Sequence, residues 1–159
     1  MARVDFLSTL HALTDAGVDF IVVGGLAAVL NGAPVDTFNL EIVHARIDAN
    51  IAKLLDVLHS LEAIYRAQPS RRLQPSASHL ASPGHQNLLT TNGPFDILGE
   101  IVNGLTYEDL LPDTVLLNVG NGKTIRVLTL EKLISLKEIL AGEKDLAALP
   151  MLRKTLRVR

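Results

Sequence analysis

Residues 20–43, FIVVGGLAAVLNGAPVDTFNLEIV, constrain the fold more than any other stretch of the chain. An apolar, strand-like run (19–23) ends abruptly at Gly24-Gly25. A short helical stretch (26–30) follows. A Gly-Ala-Pro turn then leads into a second strand-like segment (38–43) with Asn39 and Glu41 two positions apart. Glycines let a backbone approach phosphate groups, and the start of a helix points N–H dipoles at them. Side chains at i and i+2 of a strand leave from one face, so Asn39 and Glu41 can share a metal ion. The order predicts a strand, a glycine turn, a helix and a partner strand around a phosphorylated ligand. Asp36 stands at an odd offset from Asn39 and reads as a solvated turn residue.

The remaining pattern extends this unit into a mixed sheet with packed helices. Phe6, Leu7, Leu10 and Leu13 recur at helical spacing, with Gly17 as a stop. Ile47, Ile51, Leu54, Leu55, Leu58 and Leu61 mark a second amphipathic helix, with Asp48 near its start. Two hairpins are expected. One joins strands 87–91 and 95–98 through Asn92-Gly93, and the other joins 115–119 and 124–128 through Gly120-Asn121-Gly122. Residues 106–111 read as a short helical turn. Thr129 is placed to cap a helix running from Leu130 to Gly142. A last helix over 145–156 is expected to break near Pro150. Residues 63–86 read as a long irregular loop with Arg66, Arg71, Arg72, His79 and His85, the most mobile internal segment. No regular βαβ repetition occurs, so the fold class is α+β, a single domain over 1–159.

Composition narrows the chemistry. The chain has 159 residues, enough for one well-filled core, and is 48% hydrophobic but only 4% aromatic, so the core is aliphatic. A net charge of -2 gives no global signature of nucleic-acid binding. The absence of cysteine excludes disulfides, thiolate catalysis and cysteine zinc sites. Asp5, His11 and Asp15 interrupt the first apolar positions, and the longest apolar run is too short to span a bilayer. A cytoplasmic location without a membrane partner is the expectation. The five histidines show no ligand spacing. His44 follows the acidic strand and reads as a polar edge residue.

Taken together, the motifs resemble the nucleotidyltransferase superfamily, the fold of DNA polymerase β, in its small bacterial members related to AbiEii toxins and MNT-type antitoxins. The matching positions are Gly24-Gly25, Gly32, Thr37 and Asn39-Leu40-Glu41, then Asp96 within Phe95-Asp96-Ile97-Leu98, then Lys137 and Lys144-Asp145. The resemblance implies that Gly24, Gly25, Thr37, Lys137 and Lys144 bind nucleotide. It implies Asn39, Glu41 and Asp96 as metal positions, with Glu41 and Asp96 catalytic and magnesium as cofactor. Asn39 stands where the family has its first metal-binding Asp, and Glu41 where it has the second. A neutral amide and a longer side chain weaken a site that needs hard, charged oxygens in tight geometry.

Two functions follow from the resemblance. The first is transfer of a nucleoside monophosphate from a nucleoside triphosphate to a protein, RNA or small-molecule acceptor, at a slow rate. The second is a catalytically degenerate protein that binds nucleotide without turnover, or partners a toxin. The sequence leaves both open, along with the oligomeric state.

Overall fold

A computed structural model describes residues 4–158. Among the described residues, seven strands, β1 (Phe20–Val23), β2 (Leu40–His44), β3 (Ile64–Tyr65), β4 (His85–Thr90), β5 (Gly93–Leu98), β6 (Thr114–Asn118) and β7 (Thr124–Leu128), form one mixed sheet in the order β3-β4-β5-β2-β1-β7-β6. Of the seven α-helices described, one precedes the strands in the chain, four lie between them and two follow. The helix α1 (Phe6–Asp15) is capped by Asp5, whose side chain accepts from the Ser8 N–H at 3.0 Å. It delivers the chain to β1 (Phe20–Val23), every residue of which is buried. The α2 helix (Gly24–Leu30) starts immediately, taking in both glycines. Residues 31–39 then lead to β2 (Leu40–His44), shorter than expected because Phe38 lies outside it and is exposed.

Pairing places β1 and β2 at the centre of the sheet. The two run antiparallel, with Val23 opposite Glu41. On its other side, β2 pairs in parallel with β5 (Gly93–Leu98), with Glu41 opposite Asp96. On its other side, β1 pairs in parallel with β7 (Thr124–Leu128). Both expected hairpins form: β4 (His85–Thr90) with β5, and β6 (Thr114–Asn118) with β7. In the first, Thr90 pairs with Gly93, so the turn is Thr91-Asn92 and Gly93 already belongs to the strand.

The amphipathic α3 (Asp48–Ser60) buries Ile51, Leu54, Val57 and Leu58. A short α5 (Tyr107–Leu110) precedes β6, capped by Thr106. Thr129 caps α6 (Leu130–Leu140) by accepting from the Lys132 N–H at 3.2 Å. The left-handed residue ending α6 is Ala141, and Gly142 instead begins the turn into α7 (Glu143–Arg157).

Two expectations need correction. The stretch 63–86 is not an irregular loop. It holds β3 (Ile64–Tyr65), a 3-10 turn (Pro69–Arg71), α4 (Ala77–Ala81) and the first residues of β4. Ser76 caps α4 reciprocally with His79, and Leu80 is fully buried. The second correction is Pro150, which does not break the last helix. Proline removes one backbone donor, but Leu149 and Leu152 on either side of it are buried and hold the helix in place. Among the described residues, no helix is long and apolar enough to cross a membrane.

Candidate functional site

The site lies where β1, β2 and β5 meet the start of α2. Val23 pairs with Glu41, Glu41 with Asp96, and Asp96 with Asn87 of β4. Directly paired residues share a sheet face, so these side chains form one row. Arg66 extends the row, because its N–H donates to the Asn87 carbonyl at 3.0 Å.

Gly24 is shaped by this row. Its φ of +67° is left-handed, and a Cβ there would stand 2.7 Å from the Glu41 carboxylate. Glycine lets α2 begin beside that acid without strain or crowding. Gly25 is close to Thr37: a Cβ would approach its hydroxyl to 3.0 Å. Thr37 in turn donates to the Asn39 carbonyl at 3.2 Å, which fixes the approach to β2. The glycine pair, Thr37, Asn39 and Glu41 therefore form one contiguous set of contacts.

The two acids are held differently. Asp96 is buried and has two partners. The Asn39 amide donates to its Oδ2, and Arg66 Nη2 lies 3.0 Å from its Oδ1. The second contact is ionic, not a well-aligned hydrogen bond, and Oδ1 is sealed from solvent. Arg66 is anchored by a second bond, Nη1 to the Leu88 carbonyl at 2.8 Å. Glu41 has no ion pair or hydrogen bond of this kind among the described residues. Burial pushes its carboxyl above the usual carboxylate range, and the neighbouring Asp96 charge adds to the rise. Lys137, His85 and Arg66 oppose that rise.

Glu41 and Lys137 both line a cavity of about 150 Å³ beside Gly24. Its walls are otherwise apolar, with Val23, Leu98, Ile101, Val102, Leu133 and Leu136 among them. Lys137 Nζ reaches Asp145 Oδ1 at 3.1 Å, joining α6 to the first turn of α7. Lys144 is exposed and does not line this cavity. Asp36 is exposed, as expected of a turn residue.

The other singled-out residues disperse. Arg71 bonds Gln68 at the surface, and Arg72 lines a separate cleft with Glu62. Of these three arginines, only Arg66 reaches the acids. His44 is not an edge residue. It is buried, its Nε2 lies 2.7 Å from the Leu80 carbonyl, and burial lowers its pKa. Its role is to tie α4 to β2. Among the described residues, no cluster of three or more His, Asp or Glu side chains has a metal-holding arrangement.

Sequence reasoning missed the pairing of Arg66 with Asp96 and the place of Asn87 in the row. One signal was available. Residues 64–94 contain no acid, so an arginine there that is to be paired must find its partner elsewhere in the fold.

A comparison with solved structures bears on this arrangement. The chain superimposes on a Thermotoga maritima protein, TM1012, described provisionally as a nucleotidyltransferase, with a TM-score of 0.54. The match covers 97% of this chain and 91% of that one at 17% identity. The chain has a nucleotidyltransferase-like fold. At this identity the likeness speaks for the fold alone. No family model and no curated protein matches the sequence.

Proposed function

We propose that this protein binds a nucleoside triphosphate in the cleft between α2, β2, β5 and α6, and transfers nucleotide slowly or not at all. The observation that carries the reading is the row Glu41–Asp96 directly beside Gly24, in a chain with a nucleotidyltransferase-like fold. In this reading the backbone at Gly24 and Gly25 approaches the phosphates, since a Cβ at Gly24 would meet the Glu41 carboxylate and one at Gly25 would crowd Thr37. Lys137 faces the same cavity and supplies positive charge toward the phosphates once it exchanges Asp145 for them. The apolar wall from α6 suits the less polar part of the ligand.

Slow transfer follows from the state of the acids. Chemistry on a phosphoryl group depends on charge placed correctly as the transition state forms. Here Asp96 is committed to Asn39 and Arg66, and burial together with the Asp96 charge works against charging Glu41. The binding function therefore outlasts the catalytic one. A toxin-partner role would use the same degenerate cleft as a shape, not as a catalyst.

Calorimetry with ATP, GTP, CTP and UTP tests the reading, each with magnesium and with a chelator. Binding of at least one triphosphate, weakened in Lys137→Ala, is the expected result. Incubation with labelled triphosphate and a cell extract is expected to give little or no acceptor labelling. No affinity for any triphosphate under either condition would overturn the nucleotide reading. Rapid labelling lost in Asp96→Ala would overturn the degenerate one.

A further inference from the structure

We infer that the acid pair of this cleft takes no divalent cation, and that Arg66 supplies the positive charge a metal would otherwise bring. The inference rests on the nucleotide-binding reading for its ligand, but its chemistry is carried by separate observations.

The first observation is the donor set. A magnesium site wants several hard oxygen ligands with open lone pairs. Here the carboxylates facing each other are Glu41 and Asp96, and Asn39 turns its amide N–H toward Asp96. A donor occupies Oδ2, where a cation would need an acceptor. The second observation is closure. Asp96 Oδ1 is sealed from solvent, and Arg66 Nη2 is 3.0 Å away. A metal ion reaching Oδ1 would have to displace a guanidinium already held by the Leu88 carbonyl. The third is charge. With Arg66 fixed against Asp96, the row retains one carboxylate, Glu41, to set against an incoming polyphosphate.

Arg66 also has capacity to spare. Its side chain is 36% exposed, while the Asp96 side chain beneath it is 9% exposed. A guanidinium carries five donors in a planar fork, and the contacts to Leu88 and Asp96 do not use them all. The geometry thus presents an anchored cation at the edge of the cleft with donors toward solvent. Its ligand class is the phosphate chain of a nucleotide bound without metal. Asp96 is a positioning residue for that cation.

The test uses manganese(II) alone with the full chain, read by electron paramagnetic resonance. The wild-type protein should leave the spectrum of free manganese unchanged. The double variant Asn39→Asp, Arg66→Ala should bind manganese at least about tenfold more tightly, because three carboxylates then face one another with no internal cation. Manganese binding by the wild type that is lost in Asp96→Ala would overturn the inference. So would a folded double variant that gains no affinity. If that variant does not fold, as judged by circular dichroism, the wild-type spectrum decides alone.

A second arm separates this inference from the reading it rests on. ATP, or whichever triphosphate binds, should bind in chelator within about twofold of its affinity in magnesium, a difference well under 1 kcal/mol. Arg66→Ala should weaken chelator binding at least about tenfold, the size of one lost charge-assisted bond, with Arg66→Lys recovering part of it. Affinity that demands magnesium would overturn the role of Arg66. Absence of any nucleotide affinity would sink the proposed function, while the manganese result would still decide the nature of the acid pair.

Discussion

Glu41 and Asp96 are direct neighbours across two central strands, yet the molecule treats them in opposite ways. Asp96 sits deep, beneath Arg66 and beside the Asn39 amide, with its charge compensated from two sides. Glu41 sits against Gly24 and a largely apolar cavity that Lys137 also lines, with no hydrogen-bond or ion-pair partner among the described residues. Two acids at matching positions on matching strands therefore make one fixed ion pair and one carboxyl whose pKa burial raises. Register sets which residues meet, but the elements covering each residue set the surroundings of its carboxyl group.

The largest effect is expected on the Asp96 side. Removing its cation in Arg66→Ala leaves a buried charge with only the Asn39 amide. A fully buried pair would lose about 3–5 kcal/mol on such truncation, and partial exposure of Arg66 lowers this to roughly 1–3 kcal/mol. Urea unfolding measures it. A loss under about 0.5 kcal/mol, the range of an ordinary surface substitution, would mean that Asp96 does not depend on Arg66.

A smaller loss is expected from Gly24→Ala on the Glu41 side. The left-handed backbone and the approach of the new methyl to the carboxylate together cost about 1–2 kcal/mol. Only the second part depends on Glu41. In a Glu41→Ala background the same glycine substitution should cost less, and a double-mutant cycle isolates the difference. Strict additivity would show that Glu41 does not lie against Gly24 in solution.

The smallest effect is a pH dependence. The folded pKa of Glu41 is raised, so the fold favours its protonated form. The stability contributed by that proton is complete below the ordinary carboxylate range and is lost as pH rises through the raised value. Glu41→Gln should therefore raise the unfolding midpoint slightly at neutral pH, and the gain should vanish in acid. A variant less stable than wild type at neutral pH would reverse the sign and place Glu41 with Asp96 as a compensated carboxylate.

The contrast also explains what could be read from sequence. The central unit was legible because β1, α2 and β2 follow one another closely and their residues carry strong local signals. Four apolar residues stop at two glycines, and Leu40 and Ile42 alternate with Glu41. Both hairpins were legible from their glycine turns, one of them displaced by a residue. The Glu41–Asp96 row was expected from the resemblance together with strand geometry. Its compensation was not. Arg66 lies 30 residues before Asp96 and reaches it through β3 and β4. A strand of two residues and a helix of five carry too little periodicity to be read from sequence. Both owe their form to tertiary contacts, such as Leu80 beneath His44 and the bond from the Tyr65 hydroxyl to Gln86. Pro150 shows the reverse case, a strong local signal for a break that the burial of its neighbours overrides.

The most direct test of the account is a crystal structure of the wild-type protein grown or soaked in millimolar manganese chloride, with anomalous data collected. The account predicts no anomalous peak between Glu41 and Asp96, and Arg66 Nη2 still about as close to Asp96 Oδ1 as the present 3.0 Å. A manganese ion bridging the two carboxylates, with Arg66 swung out of the cleft, would contradict it.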